Sequence, residues 1–267
     1  MRGCLVVLRR LAREQRVRLP LVVLFAGLWG FLLVALFATS DSETQSLSNQ
    51  PGNFTAAFRL VGLDPLAAWV TLGQAHPLFL LACGLFAIGL GVRAIAGELE
   101  AGTLELTLSR PLRRSTYLAA HVLLLAPGAL LIALAYATGT TIADRAFDPP
   151  GDALQPLRMV AAALLAAILV LALGGIALLA SAFHSERGRA LGWAIGSVVA
   201  MYALSVLCPL WSPIEPFARL SVFWYFSPGP TIQQGEVLWG DALVLAGIAA
   251  GTLSAAFWRF ARRDLAA

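Results

Sequence analysis

The chain has 267 residues, of which 59% are apolar and only 13% charged, whereas a soluble domain of this length carries about 25% charged residues. Long uncharged apolar runs recur along it, which excludes an ordinary soluble fold and makes it an integral membrane protein. All 19 basic residues are arginine; without a lysine there is no orthodox Walker-A site, and no basic stripe interleaved with aromatics marks a nucleic-acid face.

In chain order, residues 1–18 carry Arg2, Arg9, Arg10, Arg13, Arg16 and Arg18 among apolar residues. They read as an amphipathic helix on the inner membrane surface, with Leu8, Leu11 and Ala12 facing lipid and the arginines reaching anionic headgroups. The apolar run that follows is too long for a secretory signal, and 36–40 offers no small-x-small cleavage site. Six runs are long enough to span a bilayer: 20–39, 77–97, 117–141, 157–183, 191–211 and 239–260.

The first loop, 40–76, spaces Phe54, Ala57, Phe58 and Val61 as one face of a surface helix. Asn53-Phe54-Thr55 matches a glycosylation acceptor too common to carry weight. The last loop, 212–237, groups Phe217, Phe223, Trp224, Tyr225 and Phe226, as in an interfacial aromatic belt.

Arginine placement sets the orientation. Beside the N-terminal six, Arg93, Arg110, Arg113, Arg114, Arg187, Arg189, Arg259, Arg262 and Arg263 fall on one side; Arg59, Arg145, Arg158 and Arg219 fall on the other. The positive-inside rule puts both termini in the cytoplasm.

The middles of the six runs hold no Asp, Glu or Arg. Ion-coupled carriers depend on such groups. His76 sits at an outer edge, His121 and His184 at inner edges, with no third ligand for a metal. Cys4, Cys83 and Cys208 show no metal or disulfide spacing. Ser181 near His184 reads as a hydroxyl bonded to its own helix. No catalytic constellation is visible.

Small residues recur every fourth position at Cys83/Ala87/Gly91, Ala129/Ala133/Ala137 and Gly247/Gly251/Ala255. Such faces let helices approach closely, within one bundle or between copies. Pro127-Gly128 should kink or loosen the third run.

Against this uncharged background, 97–121 concentrates three glutamates and three arginines. Gly102 can end an extension of the second run, Thr103 can cap a short helix, and Glu105 lies in its first turn. Pro111 stops that helix, and Ser115 or Thr116 can cap the third run. Residues 103–109 also alternate apolar and polar as a strand would, but no second strand candidate appears in the sequence, so the helix is preferred. Leu104 and Leu108 then share a face and Leu106 points away. A helix this short must dock against something. One face can rest on the bundle and the other on a partner; the alternative is a polar loop that only sets topology.

The pattern Ile95-Ala-Gly-Glu98-x-Glu100-x-Gly102-Thr103-Leu104-Glu105-Leu106-x-Leu108-Ser109-x-Pro111-x-x-Arg114 resembles the permease subunits of type-2 ABC exporters. Phe257-Trp-Arg-Phe260-Ala-Arg-Arg263-Asp264-Leu265 and Leu220-Ser-Val-Phe-Trp-Tyr225 are similar to further segments of that family. The resemblance implies an all-α fold, with 1–267 as one permease domain of six transmembrane helices and cytoplasmic termini in the cell membrane. It implies a short inner coupling helix between helices two and three, with Glu98, Glu100, Gly102, Thr103, Leu104, Leu108, Pro111 and Arg114 transmitting motion. By position, Glu186, Arg187 and Arg189 would form a second coupling loop. It further implies a separate ATPase subunit that holds ATP and magnesium, a second permease copy or paralogue, and no cofactor or catalysis in this chain. The other readings are a membrane platform that transmits ATP-driven motion without transport, and an ATP-independent carrier or channel.

Overall fold

The computed structural model describes residues 2–40, 60, 62–109, 112–150, 152–211 and 213–263. An N-terminal helix α1 (Arg2–Glu14) precedes α2 (Arg18–Thr39). Helix α3 (Pro65–Ala75) leads into α4 (Pro77–Val92), which continues through a π-helical turn (Arg93–Gly97) and one α turn (Glu98–Glu100). A short α5 (Thr103–Leu108) follows, then α6 (Arg114–Phe147), α7 (Pro156–Phe183) and α8 (Arg187–Leu207). Tight 3-10 turns and α9 (Gly229–Gln234) connect α8 to α10 (Trp239–Ala261). Six of these helices, α2, α4 with its extension, α6, α7, α8 with its following turn, and α10, are long and apolar enough to cross a membrane. No strand occurs among the described residues. The third of the six runs from 114 to 147, longer at both ends than the apolar run in the sequence.

Close backbone approach organises the bundle. Helix α2 lies along α6, where a Cβ on Gly30 would come 2.6 Å from the Tyr136 carbonyl, and Gly139 sits against the Gly27 carbonyl. Ala129, Ala133 and Ala137 are buried on this side of α6. The Cys83/Ala87/Gly91 face is also buried, and Gly91 meets Gly174 and Ala177 of the central helix α7. In lipid, helix association relies on such van der Waals fit rather than on apolar burial alone. Pro127 lies inside an unbroken α6, and Gly128 fits against the Phe86 ring.

The third small-residue face behaves differently. Gly247 and Gly251 are exposed with open space around them. Helix α10 turns Ala242, Leu245, Ala249 and Ala256 inward instead, with Thr252 against Gly175 of α7. Packing within this chain therefore does not account for Gly247, Gly251 and the half-buried Ala255.

The face at Phe54, Ala57, Phe58 and Val61, with Asn53, lies outside the described residues. The helix seen in this loop, α3, begins with Asp64 accepting the Leu66 amide and Pro65 in the first turn. It lies along α2, where the Trp29 indole donates to the Gly73 carbonyl and Trp69 packs near Phe37. His76 then caps α4 by accepting the Leu78 amide on Nδ1. The aromatic loop also departs from a simple belt. Phe223 and Phe226 are buried, with Phe223 edge-on to Tyr202 of α8, while Phe217 is exposed. Tight turns at Glu215–Leu220 and Val222–Tyr225 fold these rings back onto the bundle.

Candidate functional site

The arginine-rich end of the bundle gathers the charged stretch that the sequence singled out. Its geometry starts in the backbone. A π turn at Arg93–Gly97 widens α4 by one residue and upsets the regular amide ladder. Two neighbouring side chains meet the disturbed groups. Ser181 of α7 donates to the Val92 carbonyl and accepts the Ile95 and Ala96 amides at 3.2 and 2.8 Å, and the Tyr117 hydroxyl of α6 donates to Ala94 at 2.7 Å. Ser181 thus bonds a neighbouring helix, not its own as the sequence reading had it, because the π turn offers groups that α7 does not.

The extra residue sets the rotational phase of the carboxylates that follow. Glu98 is buried, 5% exposed, and is met from three directions. Arg10 of α1 donates through Nη2 to both its oxygens at 2.7 and 3.0 Å, and the Thr103 hydroxyl donates to Oε2 at 2.6 Å. Arg93 stands 3.8 Å away and also pairs with Glu14 at 3.4 Å. Arg10 further donates to Glu14 at 3.0 Å. Desolvation works against the Arg10 charge, but Glu98 and Glu14 outweigh it and hold its pKa above the ordinary value.

Helix α1 consequently lies against protein. Val7 and Leu11 are buried in a cluster with Tyr117, Leu118, Leu104 and Phe260, and Leu8 packs on its edge. Leu8 and Leu11 therefore do not face lipid as their spacing suggested; Leu5, Val6 and Ala12 are the exposed apolar residues of α1. The amphipathic stripe is real, but the protruding ends of α4, α6 and α10 offer it a protein surface.

Gly102 adopts the left-handed conformation (φ 68°) that ends the α4 extension, a position where a side chain would be strained. Helix α5 starts directly after it. Thr103 does not cap α5: Gly102 holds the N-cap position, Thr103 is the first helical residue, and its hydroxyl donates to the Glu98 side chain and carbonyl. Leu104 is fully buried in the chain's own core, whereas Leu106 is 72% exposed beside exposed Glu105. Leu104 is thus on the face that rests on the bundle, and the apolar side chain presented outward is Leu106. The Leu108 side chain and Pro111 lie outside what is described. Ser115 and Thr116 do not cap α6, which starts at Arg114 behind Arg113 at the N-cap position, without a side-chain cap.

The remaining charges close helix ends. Glu100 accepts the Arg187 amide at the start of α8, placing a carboxylate at a helix N-terminus. That contact joins the turn around α5 to the α7–α8 turn, where Glu186, Arg187 and Arg189 are exposed and Arg189 pairs with Glu186 at 3.0 Å. Arg114 donates to the Phe260, Ala261 and Arg263 carbonyls at the end of α10. Arg263 donates to the Ser181, Ala182 and His184 carbonyls at the end of α7. Burial and the nearby Arg259 lower the Arg263 pKa. Both cations sit at helix C-termini, where carbonyls point outward without partners.

The structure thus brings Glu98, Glu100, Gly102 and Thr103 together with the second loop through Arg187, while Arg114 serves the end of α10. Sequence reasoning missed Arg10, Tyr117, Ser181 and Arg263 in this assembly. The C-terminal arginines were visible as charge, but nothing local to Arg10 or Ser181 names their partners.

No group of three or more His, Cys, Asp or Glu able to hold a metal occurs among the described residues. None of the curated proteins compared matches the chain. A family profile described as "ABC-2 family transporter protein" matches residues 9–265. That match covers the bundle and the charged end together, and the chain belongs to the ABC-2 family as a membrane permease subunit of an ABC transporter.

Proposed function

We propose that this chain is the membrane half of an ABC exporter in the cell membrane, driven by a separate ATPase subunit at its arginine-rich, cytoplasmic end. Two copies, or this chain and a paralogue, form the pathway. The ATPase binds ATP and magnesium; this chain binds neither and catalyses nothing. Its docking surface is the exposed side of α5 with the α7–α8 turn: Glu105 and Leu106 from one, Glu186 and Arg189 from the other.

The observation that carries this reading is the Glu100–Arg187 contact, which makes one continuous surface of two turns far apart in sequence. Behind it, Glu98 and Thr103 tie α5 to the end of α4, so a push on α5 is delivered to a spanning helix. Each ATPase state must contact the two permease states differently for such a push to shift their balance. The scarcity of charge within the spans favours a hydrophobic or amphipathic cargo.

The test is photo-crosslinking in intact membranes from positions 106 and 189. Capture from both sites of a chain carrying G-x-x-x-x-G-K-[ST] is expected. Absence of any nucleotide hydrolase from the products would overturn the docking surface. In reconstituted vesicles the complex is expected to move an amphipathic solute on ATP hydrolysis; hydrolysis without solute movement would replace the exporter with a mechanical platform.

A further inference from the structure

The junction of α1 and α2 forms an open cleft of about 480 Å³, lined by Arg10, Arg13, Glu14, Arg16 and Val17. The residues that line it carry three guanidinium groups and one carboxylate. The carboxylate is already engaged, since Glu14 pairs with Arg10 and Arg93. Arg10 is likewise committed to Glu98 and Glu14. Arg13 and Arg16 are exposed, and no ion pair engages them among the described residues. The cleft therefore presents net positive charge from two uncommitted arginines.

An apolar track starts at the same place. Val17, Leu21, Leu24, Leu28 and Leu32 are each more than half exposed and repeat at helical spacing along one side of α2. This helix is long and apolar enough to cross a membrane, so the track meets acyl chains where the cleft meets headgroups. A ligand that fits both has a phosphate at one end and a hydrocarbon chain at the other.

We propose that the cleft binds one anionic phospholipid, its phosphate held by Arg13 and Arg16 and one acyl chain lying along Val17, Leu21 and Leu28. Arginine is suited to this role, because its planar fork pairs with phosphate oxygens bidentately. The site adjoins the Arg10–Glu14–Arg93–Glu98 network, so an occupied cleft stiffens the α1 anchor on the base of α5. Lipid identity then tunes how firmly α5 is held. This inference concerns the permease chain alone, and its failure would leave the proposed ATPase docking untouched.

The experiment uses the purified full chain in a neutral detergent and reads its melting temperature. Phosphatidylglycerol, phosphatidylcholine and inorganic phosphate are added in separate titrations, to the natural chain and to the Arg13→Gln/Arg16→Gln double variant. Both arginines are exposed, so the variant should fold. A saturable rise with phosphatidylglycerol that is absent with the other two probes, and reduced at least several-fold in the variant, is the expected result. An equal rise with phosphatidylcholine would overturn the proposal by removing the charge requirement. An equal rise with inorganic phosphate would show a site for free anions instead, and an undiminished rise in the variant would put the lipid elsewhere.

Discussion

Arg10 and Glu98 are 88 residues apart in the chain, yet the guanidinium of one bridges both carboxylate oxygens of the other at 2.7 and 3.0 Å. This pair fastens the N-terminal helix to the end of the second spanning helix, one turn before α5. Glu98 is nearly inaccessible while Arg10 is half-exposed, so most of the desolvation falls on the carboxylate.

Removing the Glu98 charge should therefore loosen α1. We expect Glu98→Gln to cost about 1–3 kcal/mol, since Arg10 and Thr103 both lose an ionic acceptor. Limited trypsin digestion of the purified chain should cut faster among Arg9, Arg10, Arg13 and Arg16. Unchanged cleavage would mean that the apolar contacts of Val7 and Leu11 suffice to hold the helix.

Leu104 and Leu106, two positions apart, should give opposite phenotypes. Leu104→Ala opens a cavity in a closed cluster and should cost about 2–5 kcal/mol. Leu106→Asp should change stability by less than about 0.5 kcal/mol, because that side chain already faces outward. It should nevertheless weaken co-purification of the proposed ATPase subunit. Equal melting losses for the two variants would contradict the orientation of α5.

Glycines in the bundle separate in the same way. Gly139→Val forces a side chain into the Gly27 carbonyl and should abolish a stable fold or lower the melting temperature sharply. Gly251→Val points into open space and should leave the monomer's melting unchanged. If the Gly247/Gly251/Ala255 face meets a second copy, the latter variant should lower the dimer fraction in light scattering.

His76 gives the protein a pH dependence with a defined sign. Burial lowers its pKa from 6.5, and Nδ1 must stay unprotonated to accept the Leu78 amide. Below about pH 6.5 the unfolded chain takes up the proton before the folded one does. Stability is therefore full above that pH and is lost as pH falls through the lower folded value. Melting curves between pH 7.5 and pH 5 should show the loss, and His76→Asn, which keeps a capping acceptor without titrating, should flatten it. A parallel decline in the variant would assign the effect to other groups.

How much of this was legible beforehand differs by element. The spanning helices announce themselves through runs of apolar residues, and α5 through Gly102 before it and Pro111 after it; these signals are local. Which side of a short helix faces its own protein is not local. The spacing of Leu104 and Leu108 identified a shared face but not its owner, and only the cluster around Tyr117 and Phe260 shows that Leu104 belongs to the chain's core. The amphipathicity of α1 was equally plain, while its partner was misread, because hydropathy cannot distinguish lipid from a neighbouring apolar helix.

The sequence by itself determined that this protein lives in a bilayer, crosses it with six helices and collects its charge at a few turns, because the cost of placing charge in hydrocarbon acts on each residue separately. Only the tertiary structure decided what those charges do. Glu100 meets Arg187, Arg114 meets the end of α10, Arg263 meets the end of α7, and Ser181 fills the π turn of α4. Such pairings depend on where helix termini and disturbed amides come to rest, and those positions are set by the close packing of whole helices rather than by any residue's neighbours in the chain.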